Sequence, residues 1–151
     1  MKRVELTIDI DAPAGDIWAV LADPTGFPDW IKGMQSVEVL TKGKYGVGTR
    51  YRVTAGTGKN SVEWTVEITA LEPERRIDFS YTGDVEGSGG WIIEPRPEGG
   101  LRVVSFDEFA PPGSWLIKLL SKFWFDKAAR SSRWQSLERL KEMLEGDQED
   151  E

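Results

Sequence analysis

The chain has 151 residues, of which 39% are hydrophobic and 30% charged, and 19 basic residues against 26 acidic ones give a formal charge of −7. That is the size and composition of one globular domain with a sizeable core, and the negative balance argues against nucleic acid as the main partner. The chain contains neither cysteine nor histidine, which excludes disulfides, thiolate zinc sites, cysteine nucleophiles, Ser–His–Asp triads and any base that titrates near neutrality without perturbation.

No bound metal and no cofactor are expected. A hard cation held by oxygen ligands alone remains open, but no acidic loop has EF-hand spacing. No window approaches the roughly 18 apolar residues of a membrane span. The N-terminus runs directly into a strand pattern without the apolar core of a signal peptide, so a cytoplasmic location is expected.

In chain order, Val4, Leu6, Ile8 and Ile10 alternate with Glu5, Thr7 and Asp9, the pattern of a half-buried strand. Asp11 is a candidate cap for a following helix, with Pro13 near its first turn. Ile17, Trp18, Val20 and Leu21 form the apolar side of that helix, and Asp23-Pro24 stops it. A second short helical turn is expected over 25–30, with Phe27 and Trp30 buried. Strands follow, carrying Val37 and Val39, then Tyr51 and Val53, then Val62, Trp64, Val66 and Ile68, then Ile77, Phe79 and Tyr81. The next strand carries Trp91 and Ile93, with Gly87, Gly89 and Gly90 near its start, where a bulge or strong bend is expected. The last strand spans 101–109. Hairpin-length turns imply an antiparallel sheet.

Pro111-Pro112-Gly113 ends the sheet region, and Ser114 to Glu145 is the longest stretch free of proline and glycine. Leu120, Trp124, Ala128, Ser131, Trp134, Leu137, Leu140 and Leu144 recur at helical spacing along it. Residues 120–144 would form a helix roughly 36 Å long. It is the one long element available to cover the apolar face of the sheet. A curved sheet cannot touch a straight helix everywhere, so a hollow is expected where the helix carries the small Ala128 and Ser131. Residues 1–146 read as a single domain and the acidic residues 147–151 as a disordered tail.

The ordered fragments Ile10-Asp11-Ala12-Pro13, Ile17 to Pro24, Phe27-Pro28-Asp29-Trp30, Gly46 to Tyr51, Leu71-Glu72-Pro73, Trp91 to Pro95, Gly99 to Val103 and Leu137 to Lys141 together resemble the helix-grip superfamily, START-like or SRPBCC. Within it they are most similar to the polyketide cyclase/dehydrase-like branch, over residues 3–145. The resemblance implies an α+β helix-grip fold. Its parts are a curved seven-stranded antiparallel sheet, two short helices after the first strand, and a long C-terminal helix over the concave face, enclosing a hydrophobic cavity. Members bind lipids, sterols, quinones, hormones and aromatic polyketides, and some are cyclases or hydratases.

The expected cavity wall comprises Tyr51, Trp64, Val66, Phe79, Tyr81 and Trp91 from the sheet, Ser105 and Asp107 from the last strand, and Leu120, Trp124, Ala128 and Ser131 from the helix. The aromatic residues, with Trp134, read either as a box around a planar ligand or as plain core. Two faces of the last strand compete. If Leu101 and Val103 point inward, so do Ser105 and Asp107; if Val104 and Phe106 do, so does Glu108. Asp107 would then be either a carboxylate of raised pKa able to act as acid or base, or a rim residue, solvated or paired with Arg102 or Lys127. Arg50 and Arg52 fall on the solvent face. Residues 55–61 superficially suggest a phosphate loop, but Val53 stands where a glycine is needed and Asn60 follows Lys59, so a hairpin turn is the reading. The apolar stretch from Trp115 to Phe125 is either an exposed patch for transient membrane or protein contact or packs under the loop at 83–88.

The leading expectation is binding of a small hydrophobic ligand, lipid-like or aromatic and polyketide-like. The alternatives are a cyclase or dehydratase using Asp107 or Glu108 with a tyrosine, and an interaction module built on the Trp115–Phe125 surface. Monomer and homodimer both remain open.

Overall fold

The structure, a computed structural model, describes residues 2–56, 61–110 and 133–146. The elements are β1 (Lys2–Ile10), α1 (Ala14–Leu21), a 3-10 helix (Pro24–Asp29), β2 (Met34–Val39), β3 (Arg50–Ala55), β4 (Val62–Glu72), β5 (Arg76–Gly83), β6 (Glu86–Pro95) and β7 (Leu101–Ala110). Residues 133–146 form the C-terminal helix, α2. The strands make one seven-stranded sheet in the order β1-β7-β6-β5-β4-β3-β2, with every neighbouring pair antiparallel. This is the α+β helix-grip arrangement. β1 and β2 lie at opposite edges, and the two short helices carry the chain between them.

Alternation decides which face is covered. Val4, Ile8, Ile10, Tyr51, Val53, Val66, Ile68, Ile77, Phe79, Tyr81, Trp91, Ile93 and Val103 are buried on one face, because side chains two apart along a strand share a side. Ile17, Leu21, Phe27 and Trp30 from the short helices and Leu137, Leu140 and Leu144 from α2 complete the same cluster. On the other face Arg52 pairs with Glu38 and Glu63 and Arg50 with Glu67, all exposed, so these pairs contribute little stability.

Three local expectations are corrected. Asp11 does not cap α1. The N-cap position is Pro13, with no side-chain bond, and the Asp11 amide donates to Glu145 Oε1 instead, at 3.2 Å. The side chain that does cap is Asp23, which accepts from the Thr25 amide at the start of the 3-10 helix. The glycines of β6 mark no bulge: pairing with β5 and β7 runs without a register shift, and the irregularities lie at Met34/Ser36 and Ile68/Ala70.

The third correction concerns the helix face. Trp134 is 42% exposed and not part of the inward stripe. Leu137, Leu140 and Leu144 of that stripe are buried, together with Ser136, so the inward face extends on the side away from Trp134. Leu120, Trp124, Ala128 and Ser131, the Trp115–Phe125 stretch, the turn at 57–60 and the tail at 147–151 lie outside the described residues. Among the described residues no helix is long and apolar enough to cross a membrane.

Packing of α2 on the sheet is tested by truncation. Leu140 is fully buried and Met143 is 38% exposed on the same helix. Leu140→Ala should lower the unfolding free energy by roughly 2–5 kcal/mol and Met143→Ala by no more than about 0.5 kcal/mol, read by denaturant titration. Equal costs would contradict this packing.

Candidate functional site

Between the sheet and α2 lies a cavity of about 290 Å³. Its wall includes Phe27, Tyr51, Trp64, Val66, Phe79, Tyr81 and Trp91, with Arg133 and Ser136 from α2 and Lys32 from the loop before β2. All six sheet residues expected at the wall from sequence are therefore brought together there. They share a wall because Tyr51 pairs with Val66 and Val66 with Tyr81 across three strands, and residues directly opposite in antiparallel strands lie on one face. Phe79 and Tyr81 contact each other with ring centroids 5.3 Å apart, and Trp91 leans on Trp30 at 5.7 Å.

Ser105 and Asp107 are buried and share the inward side of β7 with Val103. The outward alternative, which would have turned Glu108 inward, is not the one adopted. Neither Ser105 nor Asp107 is on the cavity wall itself. They stand behind it and touch two residues that are. Tyr81 donates its hydroxyl to Asp107 Oδ1 at 2.5 Å. Arg133 Nη1 forms an ion pair with Asp107 Oδ2 and donates to Ser105 Oγ at 3.1 Å. The rim reading of Asp107 is thereby corrected. Arg102, the partner that reading proposed, pairs with Asp9 at 3.0 Å on the opposite face, because successive residues of a strand point to opposite sides; Lys127 lies outside the described residues.

The contact between Tyr81 and Asp107 has a backbone cause. Gly89 stands between Phe79 and Asp107 in register. A Cβ there would come within 2.4 Å of Asp107 Oδ1, 2.7 Å of the Phe106 carbonyl oxygen and 3.0 Å of the Tyr81 hydroxyl. The missing side chain is what lets a tyrosine on β5 reach over β6 to a carboxylate on β7. The glycines of this strand provide room.

The electrostatics follow from burial. Loss of water pushes the Asp107 carboxyl above the ordinary carboxylate range, while the Arg133 charge and the Tyr81 hydrogen bond pull it back. Burial and then the Asp107 charge raise the Tyr81 phenol well above its ordinary value. Burial likewise raises Tyr51 and pushes Tyr45, beside it, up to about 12. Every phenol here therefore stays protonated at neutral pH. Among the described residues no group of three or more His, Cys, Asp or Glu side chains gathers to hold a metal ion.

Sequence reasoning missed Arg133, Ser136 and Lys32. The signal was present for the first two: 133, 136, 137, 140 and 144 are spaced by helical turns, but an arginine at the head of an apolar stripe reads as solvated. Lys32 carries no such signal. Its amide donates to Ser136 Oγ at 2.8 Å and its ammonium to Gln135 Oε1 at 2.5 Å, contacts across 104 and 103 residues of sequence.

The sequence profile of one family, described as polyketide cyclase / dehydrase and lipid transport, matches residues 1–145, and the chain belongs to that family. No curated protein matches the sequence. Among solved structures, a protein from Deinococcus radiodurans is similar at 26% identity and a TM-score of 0.72, over 96% of this chain and 99% of that one. The Zhui aromatase/cyclase from Streptomyces sp. R1128 shares the fold at 20% identity and a TM-score of 0.70, over 94% and 95% of the two chains. The di-domain ARO/CYC BexL from the BE-7585A biosynthetic pathway is 26% identical with a TM-score of 0.66, over 96% of this chain and 47% of that one.

Two measurements test the buried cluster. Gly89→Ala should destabilise the fold by about 1–3 kcal/mol or more, because two of the atoms in the way belong to a strand backbone and a pinned carboxylate; a neutral effect on the denaturation midpoint would contradict the close approach. The second is pH dependence. A carboxyl whose folded pKa exceeds its unfolded one binds its proton more tightly when folded, so its contribution is present at low pH and is lost as pH rises through the folded value. The unfolding free energy of wild type minus that of Asp107→Asn should therefore fall as pH rises from about 4. A difference that rises with pH would mean the folded carboxyl lies below the usual range.

Proposed function

We propose that this chain binds a small hydrophobic molecule, aromatic or lipid-like, in the cavity between the sheet and α2. The observation that carries the reading is the lining. Among the described residues, Phe27, Tyr51, Trp64, Phe79, Tyr81 and Trp91 supply six rings around about 290 Å³, against three other polar side chains, Lys32, Arg133 and Ser136. Apolar walls with a few convergent polar groups are the usual composition of a ligand site. Rings offer large contact area at little entropic cost and favour offset or edge-on packing with another ring. The family's description, which couples cyclases with lipid transport, and the aromatase/cyclase naming of two similar structures support the same class of ligand.

A cyclase or dehydratase is the second reading, and the bond between Tyr81 and Asp107 is what favours it. Tyr81 would be the group at the ligand and Asp107 its support, since Asp107 is not itself on the wall. Binding without chemistry is preferred because the Tyr81 proton is already committed to Asp107, and a phenol raised by burial gives up its proton reluctantly.

Filling the cavity tests the binding reading. The neutral fluorophore N-phenylnaphthylamine should bind wild-type protein saturably and quench tryptophan emission. Val53→Phe puts a ring into the space beside Tyr51 and Trp64. It should weaken that binding by about tenfold or more, at a stability cost of roughly 1–3 kcal/mol. No saturable binding to wild type, or unchanged affinity in the variant, would sink the proposal.

A further inference from the structure

Among the described residues the wall of the cavity holds two cations with different surroundings. Lys32 is exposed, and its ammonium bonds to Gln135 Oε1 at 2.5 Å, so water screens its charge. The Arg133 side chain is only 25% exposed and sits on a carboxylate that is 1% exposed. A guanidinium has five N–H donors. Nη1 carries both the ion pair with Asp107 Oδ2 and the hydrogen bond to Ser105 Oγ, which leaves Nη2 and Nε, and Arg133 lines the cavity.

We infer that Asp107 is a specificity-determining residue: by cancelling the charge of Arg133 from behind the wall, it makes the cavity select a ligand whose polar end is a neutral acceptor, such as a ketone, over the matching carboxylate. The inference rests on the proposed ligand binding in this cavity and adds the chemistry of the ligand's end group.

The argument is one of charge balance. An arginine alone in an apolar pocket would recruit a carboxylate, two oxygens matched to its fork. Here that position is taken by a side chain of the protein. A ligand carboxylate entering the cavity would give up its water and meet an ion pair of no net charge, with the Asp107 charge close behind the guanidinium. A carbonyl gives up far less hydration on entry and still accepts a hydrogen bond from the donors that remain. Tyr81 adds no charge to the balance: it is a neutral donor to Asp107, and together with the Arg133 charge it favours the ionised carboxyl against the effect of burial. Ser105 and Ser136 are neutral.

The test uses a matched pair of ligands, acetonaphthone and naphthoate, which share one ring system and differ in the end group. Affinities are read at neutral pH by isothermal titration calorimetry on the full chain, for wild type and Asp107→Asn. Wild type should bind the ketone about tenfold or more tightly than the carboxylate. Asp107→Asn leaves Arg133 uncompensated and should shift the ratio by about tenfold or more toward the carboxylate. A wild-type ratio near one, or one favouring naphthoate, overturns the inference while leaving ligand binding standing. Failure of both compounds to bind overturns the inference and the binding reading together, and binding of naphthoate alone overturns the inference. Should Asp107→Asn not fold, the wild-type ratio decides alone. A folded variant with an unchanged ratio shows that Asp107 does not set the preference.

Discussion

A carboxylate without access to water has to be answered from within the protein. Asp107 is fully buried in the middle of β7, and an isolated charge there would be prohibitive. Its answers come from two directions. Tyr81 reaches it along the sheet, and Arg133 reaches it from α2. The second contact ties the helix to the sheet at the point where the cavity opens between them. Removing one partner of such a pair is costly because the other is left buried and uncompensated. The helix is thus held at a definite rotation, with Leu137, Leu140 and Leu144 inward and Trp134 outward.

That arrangement depends on a strand that carries almost no side chains where it matters. Gly89 clears the path between Tyr81 and Asp107, and Gly90, on the opposite side, clears the Ile77 carbonyl oxygen and the Phe106 ring, which a Cβ would meet at 2.4 Å and 2.7 Å. Strands normally avoid glycine because it adds flexibility and no packing. Here that deficit is offset by neighbours that fill the vacated volume from β5 and β7. The cavity therefore has a firm polar back and an apolar front. Among the described residues its wall is mostly rings and aliphatic side chains, with polar groups at Arg133, Ser136, Lys32 and the two tyrosines.

Membership of the polyketide cyclase / dehydrase and lipid transport family goes with this division of labour. The strand and turn residues that make the fold recognisable are structural, and among the described residues few polar groups reach the cavity. Arg133 and Asp107 lie on different elements, so the polar end of the cavity is assembled only when helix and sheet meet.

Much of the architecture was legible in the chain because it rests on local rules. Period-two patterns in β1, β4 and β5 placed Ile8, Val66, Ile68, Ile77, Phe79 and Tyr81 inward, and Asp23-Pro24 ended α1, as steric rules require. The resemblance carried by short framework fragments supplied the topology. The sequence also brought Tyr51, Trp64, Val66, Phe79, Tyr81 and Trp91 to one face, since residue parity alone decides the side of a strand. What it left open was decided by contacts between distant residues. Two faces of β7 were half apolar, and only pairing of Val4 with Asp107 and of Gly89 with Asp107 selected the inward one. The helix stripe placed Leu137, Leu140 and Leu144 inward, but nothing in its period showed that Arg133 would meet a buried carboxylate or that Trp134 would stay exposed. Periodicity carries no information about a partner 26 residues away on another strand or helix, which is the separation of Tyr81 from Asp107; that choice belongs to the tertiary structure, where a charge cut off from water must find its partner.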